Sequence, residues 1–125
     1  MSWRTVRLDL NRDSVAMGDD MESHAKSVTV PRGTLLSKAL GDYRPEIQVQ
    51  GWSWVAVVDD EVSAVWSVDH GVQLLVPDRK LTRGPIAVFF RYFVQIDPAW
   101  LHERLASGEP ANRPALEKAW AMHAS

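Results

Sequence analysis

Alternation of apolar and polar residues begins near the N-terminus. Val6, Leu8 and Leu10 are separated by Arg7 and Asp9, which predicts a β-strand over Thr5 to Leu10 with one buried face. The next segment, Asn11 to Ala25, contains Gly18 and is rich in Asp and Ser, so it reads as a long loop. Unstructured stretches of that length are uncommon in compact domains and are often functional. Lys26 to Pro31 reads as a second strand through Val28 and Val30, stopped by Pro31, which has no N–H for further pairing. A helix is predicted next, with Thr34 as its cap, an apolar stripe of Leu35, Leu36, Ala39 and Leu40, and Gly41 just past its end.

Two strong strands follow, Trp52 to Val58 and Val62 to Val68, joined through an acidic tip of Asp59, Asp60 and Glu61. Both faces of the first are apolar, as expected of a strand covered on both sides. A turn at His70 and Gly71 leads to a short strand over Val72 to Val76. The loop Asp78 to Pro85 carries Arg79, Lys80 and Arg83. In Ile86 to Ile96, β-branched and aromatic residues on alternate positions predict a strand. Asp97 then reads as a helix cap, with Pro98 in the first helical position, Ile96 and Leu101 placed as a hydrophobic staple, and Gly108 after the last turn. A final short helix places Leu116, Ala119, Trp120 and His123 on one face and needs to dock through Trp120 to persist.

Together these elements predict a single α+β domain. Residues 1–96 form its core, a mixed sheet of five or six strands with one helix packed across it, and residues 97–125 form a C-terminal helical extension. The stretch Val28 to Leu40, VTVPRGTLLSKAL, resembles the second strand and following helix of β-grasp, ubiquitin-like proteins, notably the small sulfur carriers. The resemblance spans Val6 to Val76 and implies a β-grasp-like core. Conjugating and sulfur-carrying members end in a diglycine tail, whereas this chain ends AWAMHAS, so that chemistry is not expected. The loop DSVAMGDDMESH, residues 13–24, is similar to segments of small uncharacterised bacterial proteins and implies no activity.

Composition narrows the function classes. The chain has 125 residues, 14 Lys plus Arg against 16 Asp plus Glu, and no Cys. Disulfides, thiolate nucleophiles and thiolate metal sites are therefore excluded together. A net charge of −2 argues against affinity built on neutralising many phosphates, and no apolar run is long enough to span a bilayer. The N-terminal segment lacks the apolar core of a secretory signal, so a cytoplasmic location is expected.

The densest polar constellation is Asp13, Asp19, Asp20, Glu22 and His24. Counted as a calcium-binding loop from Asp13, Gly18 falls sixth as required. Val15 and Met17 occupy the third and fifth ligand places, however, and His24 replaces the bidentate Glu at the twelfth. A solvated acidic loop is the simpler reading, with an irregular metal site as the alternative. His70 beside Asp69 reads as turn chemistry, since neighbouring residues in a strand point to opposite faces. No nucleophile elbow, phosphate loop or dinucleotide fingerprint occurs. Arg79, Lys80 and Arg83 have no interleaved aromatic residue, so nucleic acid is not the expected partner.

The six Trp divide between the paired strands, where Trp52, Trp54 and Trp66 are expected to pack, and positions such as Trp3 and Trp100, where partial exposure suits a protein contact. The favoured function is a non-catalytic protein-binding module, such as a bacterial immunity-type or antitoxin-type inhibitor or an adaptor, that needs no cofactor. Its contact residues are Asp19, Asp20, Glu22, Asp59, Asp60, Glu61, Trp3 and Trp100, and its partner is a protein with a basic site. The alternatives are a metal-dependent enzyme or metal-binding protein using the 13–24 loop, and a self-associating structural protein.

Overall fold

The computed structural model describes residues 4–14, 24–46, 50–93 and 96–124. Its centre is a parallel pair, β1 (Thr5–Arg12) and β6 (Ile86–Tyr92), in which Leu8 lies opposite Ile86 and Leu10 opposite Val88. The remaining strands add antiparallel on either side: β2 (Lys26–Pro31) on β1, and β3 (Trp54–Val58), β4 (Glu61–Ser67) and β5 (Gly71–Leu74) outward from β6. The result is a mixed six-stranded sheet in the order β2-β1-β6-β3-β4-β5. It forms a single α+β domain.

The sheet is covered on both faces by different helices. On one side α1 (Leu36–Asp42) places Leu36, Ala39 and Leu40 over Val6, Leu8, Ile86 and Val88. The space beneath α1 is too small for a water molecule. On the other side Leu101 and Leu105 of α2 (Pro98–Ala106) and Leu116 of α3 (Arg113–Ala124) join Val55, Val65 and Phe93 in a second core. The expectation of one packed helix, with residues 97–125 as a C-terminal extension of the same domain, is therefore revised, because residues 97–124 cover the second face of β3 and β4. This explains the continuous apolar run of β3. Trp54, Ala56 and Val58 face α1, while Val55 faces α2 and α3 and Val57 packs against the same cluster. Burying a side chain of this size stabilises the fold by about 1.5–3 kcal/mol.

Element ends follow local chemistry in some places and distant chemistry in others. Asp97 caps α2 as predicted, its Oδ2 accepting from Trp100 N at 2.9 Å, and Gly108 takes a positive φ of 99° after the last turn. Asn112 caps α3 by accepting from Ala115 N at 3.1 Å. Thr34 does not cap α1, since its hydroxyl donates back to Pro31 O. The residue that does is Asp78, whose carboxylate accepts from both the backbone N–H and the hydroxyl of Ser37. Gly41 lies inside α1 rather than after it, with Val72 Cγ2 3.7 Å from where a Cβ would sit. The last strand ends at Tyr92, short of Ile96, and Ile96 lies in the second core with Phe93 rather than on the face of Ile86, Val88 and Phe90. Ser53, fully buried, donates its hydroxyl to Ile96 O and ties this crossing to the start of β3.

Both sheet edges are modified. His102 Nε2 donates to Leu74 O at 2.9 Å, so α2 occupies an outward carbonyl of β5. β2 carries Lys26 and Pro31 at its ends, and both features discourage pairing with another strand. No helix among the described residues is long and apolar enough to cross a membrane.

Candidate functional site

The acidic tip is a two-residue hairpin turn. Val58 pairs with Glu61, and the two residues between them both have positive φ, 47° at Asp59 and 67° at Asp60. Such a turn matches the twist of the strands it joins, and Asp tolerates its left-handed backbone better than most side chains. Asp59 is then fastened to the neighbouring strand. Its N–H donates to Ala87 O at 2.8 Å, and its Oδ1 accepts from Ala87 N at 2.9 Å. The three acidic residues therefore divide into one that is structural and two, Asp60 and Glu61, that are exposed and form no ion pair among the described residues. Ser63 Oγ donates to Glu61 O at 2.9 Å and steadies the first residue of β4.

The same end of the sheet is basic beyond β6. There the start of β1, the end of β2 and the 79–85 loop converge, because β1 and β6 run parallel and β2 runs back along β1. Arg32 N donates to Arg4 O at 2.8 Å, extending the β1–β2 ladder so that the two arginines lie opposite each other. Gly33 N donates to Leu81 O at 2.7 Å and Leu81 N to Thr34 O at 2.8 Å, which holds the loop against the β2–α1 turn. Gly84 permits the close approach, since a Cβ there would lie 2.8 Å from Arg7 O. Arg4, Arg32, Gly33 and Thr82 line an open cleft of about 540 Å³.

Two other carboxylates, Asp9 on β1 and Asp78 in the loop after β5, are engaged by neighbouring side chains. Asp9 accepts from Arg7 Nε at 2.8 Å and from Ser27 Oγ at 2.7 Å, and the Arg7 hydrogen bond, followed by that of Ser27, holds its carboxyl below the ordinary value. The same contact raises the Arg7 guanidinium. Asp78 is lowered chiefly by the Ser37 hydroxyl and then by the Ser37 backbone N–H.

The remaining candidate residues are dispersed. Asp13 is half-buried, its Oδ2 accepting from Tyr92 N at 2.9 Å and its N–H donating to Phe90 O at 3.0 Å, so its carboxylate prolongs the pairing of β6. Burial raises the Tyr92 phenol above its ordinary value. His24 Nε2 lies 3.0 Å from Ser14 Oγ. Asp19, Asp20, Glu22 and Trp3 lie outside the described residues. Among the described residues no group of three or more His, Asp or Glu side chains could hold a metal ion. Trp100 is half-buried in an aromatic cluster: its ring centroid is 5.2 Å from that of Trp120 and 5.9 Å from that of His123, and the Arg104 guanidinium lies 5.0 Å over its ring.

No protein-family model, curated protein or solved structure matches the chain. The cleft is the part of the surface that sequence reasoning missed. Arg79, Lys80 and Arg83 were visible as a charged loop, but Arg4 and Arg32 join them only through strand register. The one available signal was placement, with Arg4 just before the first strand and Arg32 just after the second.

Proposed function

We propose that the chain is a small non-catalytic protein-binding module whose rigid acidic hairpin tip meets a basic surface on a partner protein. The observation that carries this reading is the pinning of Asp59 to Ala87, which holds the turn while Asp60 and Glu61 remain exposed and unpaired among the described residues. Charge presented on a fixed backbone costs little ordering on association, and rim charges of this kind act chiefly on encounter rate and specificity. The most concrete form of the proposal is an immunity-type or antitoxin-type inhibitor that covers a basic site on an enzyme. A β-grasp-like description of the core belongs to the same proposal, supported by a helix that crosses from the N-terminal hairpin to the later strands and by a first strand parallel to the last.

Affinity capture from extracts of the cells that make the protein tests the reading. Immobilised wild-type chain should retain a protein that elutes as salt is raised, and the Asp60→Lys, Glu61→Lys double variant should not retain it. Recovery of the same proteins by both forms would defeat the proposal.

A further inference from the structure

The cleft beside the acidic tip has the chemistry of a different kind of site. Arg32 and Thr82, both exposed, line a shallow concavity open to solvent. Neither the Arg32 guanidinium nor the Thr82 hydroxyl has a side-chain partner among the described residues. Arg4 stands opposite Arg32 across the ladder. Lys80 and Arg83 flank Thr82 in the same loop and also form no ion pair among the described residues, while Asp9 and Asp78 are held by Arg7, Ser27 and Ser37.

We propose that this cleft binds the phosphoryl group of a small soluble ligand. The Arg32 guanidinium supplies the planar fork that matches two oxygens of a phosphoryl group, Lys80 and Arg83 add charge from the facing loop, and the Thr82 hydroxyl donates to a third oxygen. The backbone bonds of Arg32, Gly33 and Leu81 fix the walls before the ligand arrives, so little ordering opposes binding. The open cleft suits a terminal phosphate or diphosphate with the rest of the ligand outside. This site is independent of the acidic tip, and its success or failure leaves the protein-binding proposal untouched.

The test is a titration of the full chain with inorganic phosphate and pyrophosphate, read by calorimetry and by amide chemical shifts. Saturable one-to-one binding is expected, tighter for pyrophosphate, with shifts concentrated at Arg32, Gly33, Thr82 and Arg83. Arg32→Gln should weaken pyrophosphate binding by about 10-fold or more, as expected for loss of a charge-assisted bond, and Thr82→Ala by about 3-fold. Lys118→Gln, on α3, should leave it unchanged. Amide spectra of each variant distinguish a lost site from a lost fold. The proposal is overturned if pyrophosphate shows no saturable binding at low salt, if Arg32→Gln and Lys118→Gln behave alike, or if the shifts are spread over the basic surface. It is also overturned if phosphate fails to bind while the chain forms a dimer that Arg32→Gln dissociates, because the cleft then receives a second copy instead.

Discussion

Replacing Asp59 with alanine removes the acceptor for Ala87 N while leaving the hairpin sequence otherwise intact. Two terms contribute to its cost. The Ala87 N–H to Asp59 Oδ1 bond, 2.9 Å long, joins a backbone donor to a carboxylate at an exposed position, so a value between that of an ordinary hydrogen bond and the bottom of the range for charged groups applies, about 1–1.5 kcal/mol. The backbone at φ 47° adds about 0.5–1 kcal/mol, because alanine lacks the side-chain oxygen that makes the left-handed region tolerable for Asp. The expected loss is about 1.5–2.5 kcal/mol, or roughly 5–10 °C in Tm for a chain of this size. Asp59→Asn keeps an acceptor oxygen and the backbone preference and should cost less than about 0.7 kcal/mol. Asp59→Gly should fall between them. Asp60, at φ 67° with no side-chain hydrogen bond among the described residues, provides the control: Asp60→Gly should be neutral or stabilising by up to about 1 kcal/mol. Urea unfolding followed by tryptophan fluorescence measures the series. If Asp59→Ala costs no more than Asp60→Ala, the hook to β6 contributes nothing and the rigid-tip argument fails.

Other consequences can be checked separately. Gly84→Ala should destabilise the fold by about 1–3 kcal/mol in thermal unfolding, because the new Cβ would meet the Arg7 backbone O at 2.8 Å; an unchanged Tm would show that the loop approaches β1 less closely. Leu116→Ala should cost about 2–4 kcal/mol and weaken the near-ultraviolet circular dichroism of the Trp100–Trp120 pair, whose centroids are 5.2 Å apart; an unaltered spectrum would mean that α3 does not set that pair. The folded-state lowering of Asp78 gives stability that is present above its unfolded pKa and is lost as pH falls through the folded value. Ser37→Ala should move the Asp78 carboxyl titration upward in a carbon-13 experiment and reduce the acid-range decline; an unmoved titration would remove Ser37 as the cause.

How far the sequence revealed the molecule depended on how local each determinant is. Val6, Leu8 and Leu10 announced β1 because one strand face touches one core. The cap at Asp97 was readable because donor and acceptor are three residues apart. The cap of α1 was not, since Asp78 lies 41 residues beyond Ser37 and nearby Thr34 offers a plausible hydroxyl that turns elsewhere. The end of β6 was misplaced for a related reason: Val94 and Ile96 continue the alternation in sequence, but Ile96 enters the second core beside Phe93 instead of the face shared by Ile86, Val88 and Phe90. The tryptophans show the same division. Trp54 and Trp66 are core residues paired across β3 and β4, as the alternation implied, while Trp100 and Trp120 meet through tertiary contact between two helices. At the tip, composition identified three acidic residues alike, and only the Ala87 hydrogen bond separates Asp59 from the two that remain exposed.

Site-directed photocrosslinking in the cells that make the chain tests most directly whether Asp60 and Glu61 contact another protein. A photoreactive residue in place of Glu61 should yield a discrete adduct with one partner, reduced by Asp60→Lys, while the same residue in place of Lys118 on α3 should yield none. Absence of an adduct from position 61, or one that persists unchanged with Asp60→Lys, would contradict the account.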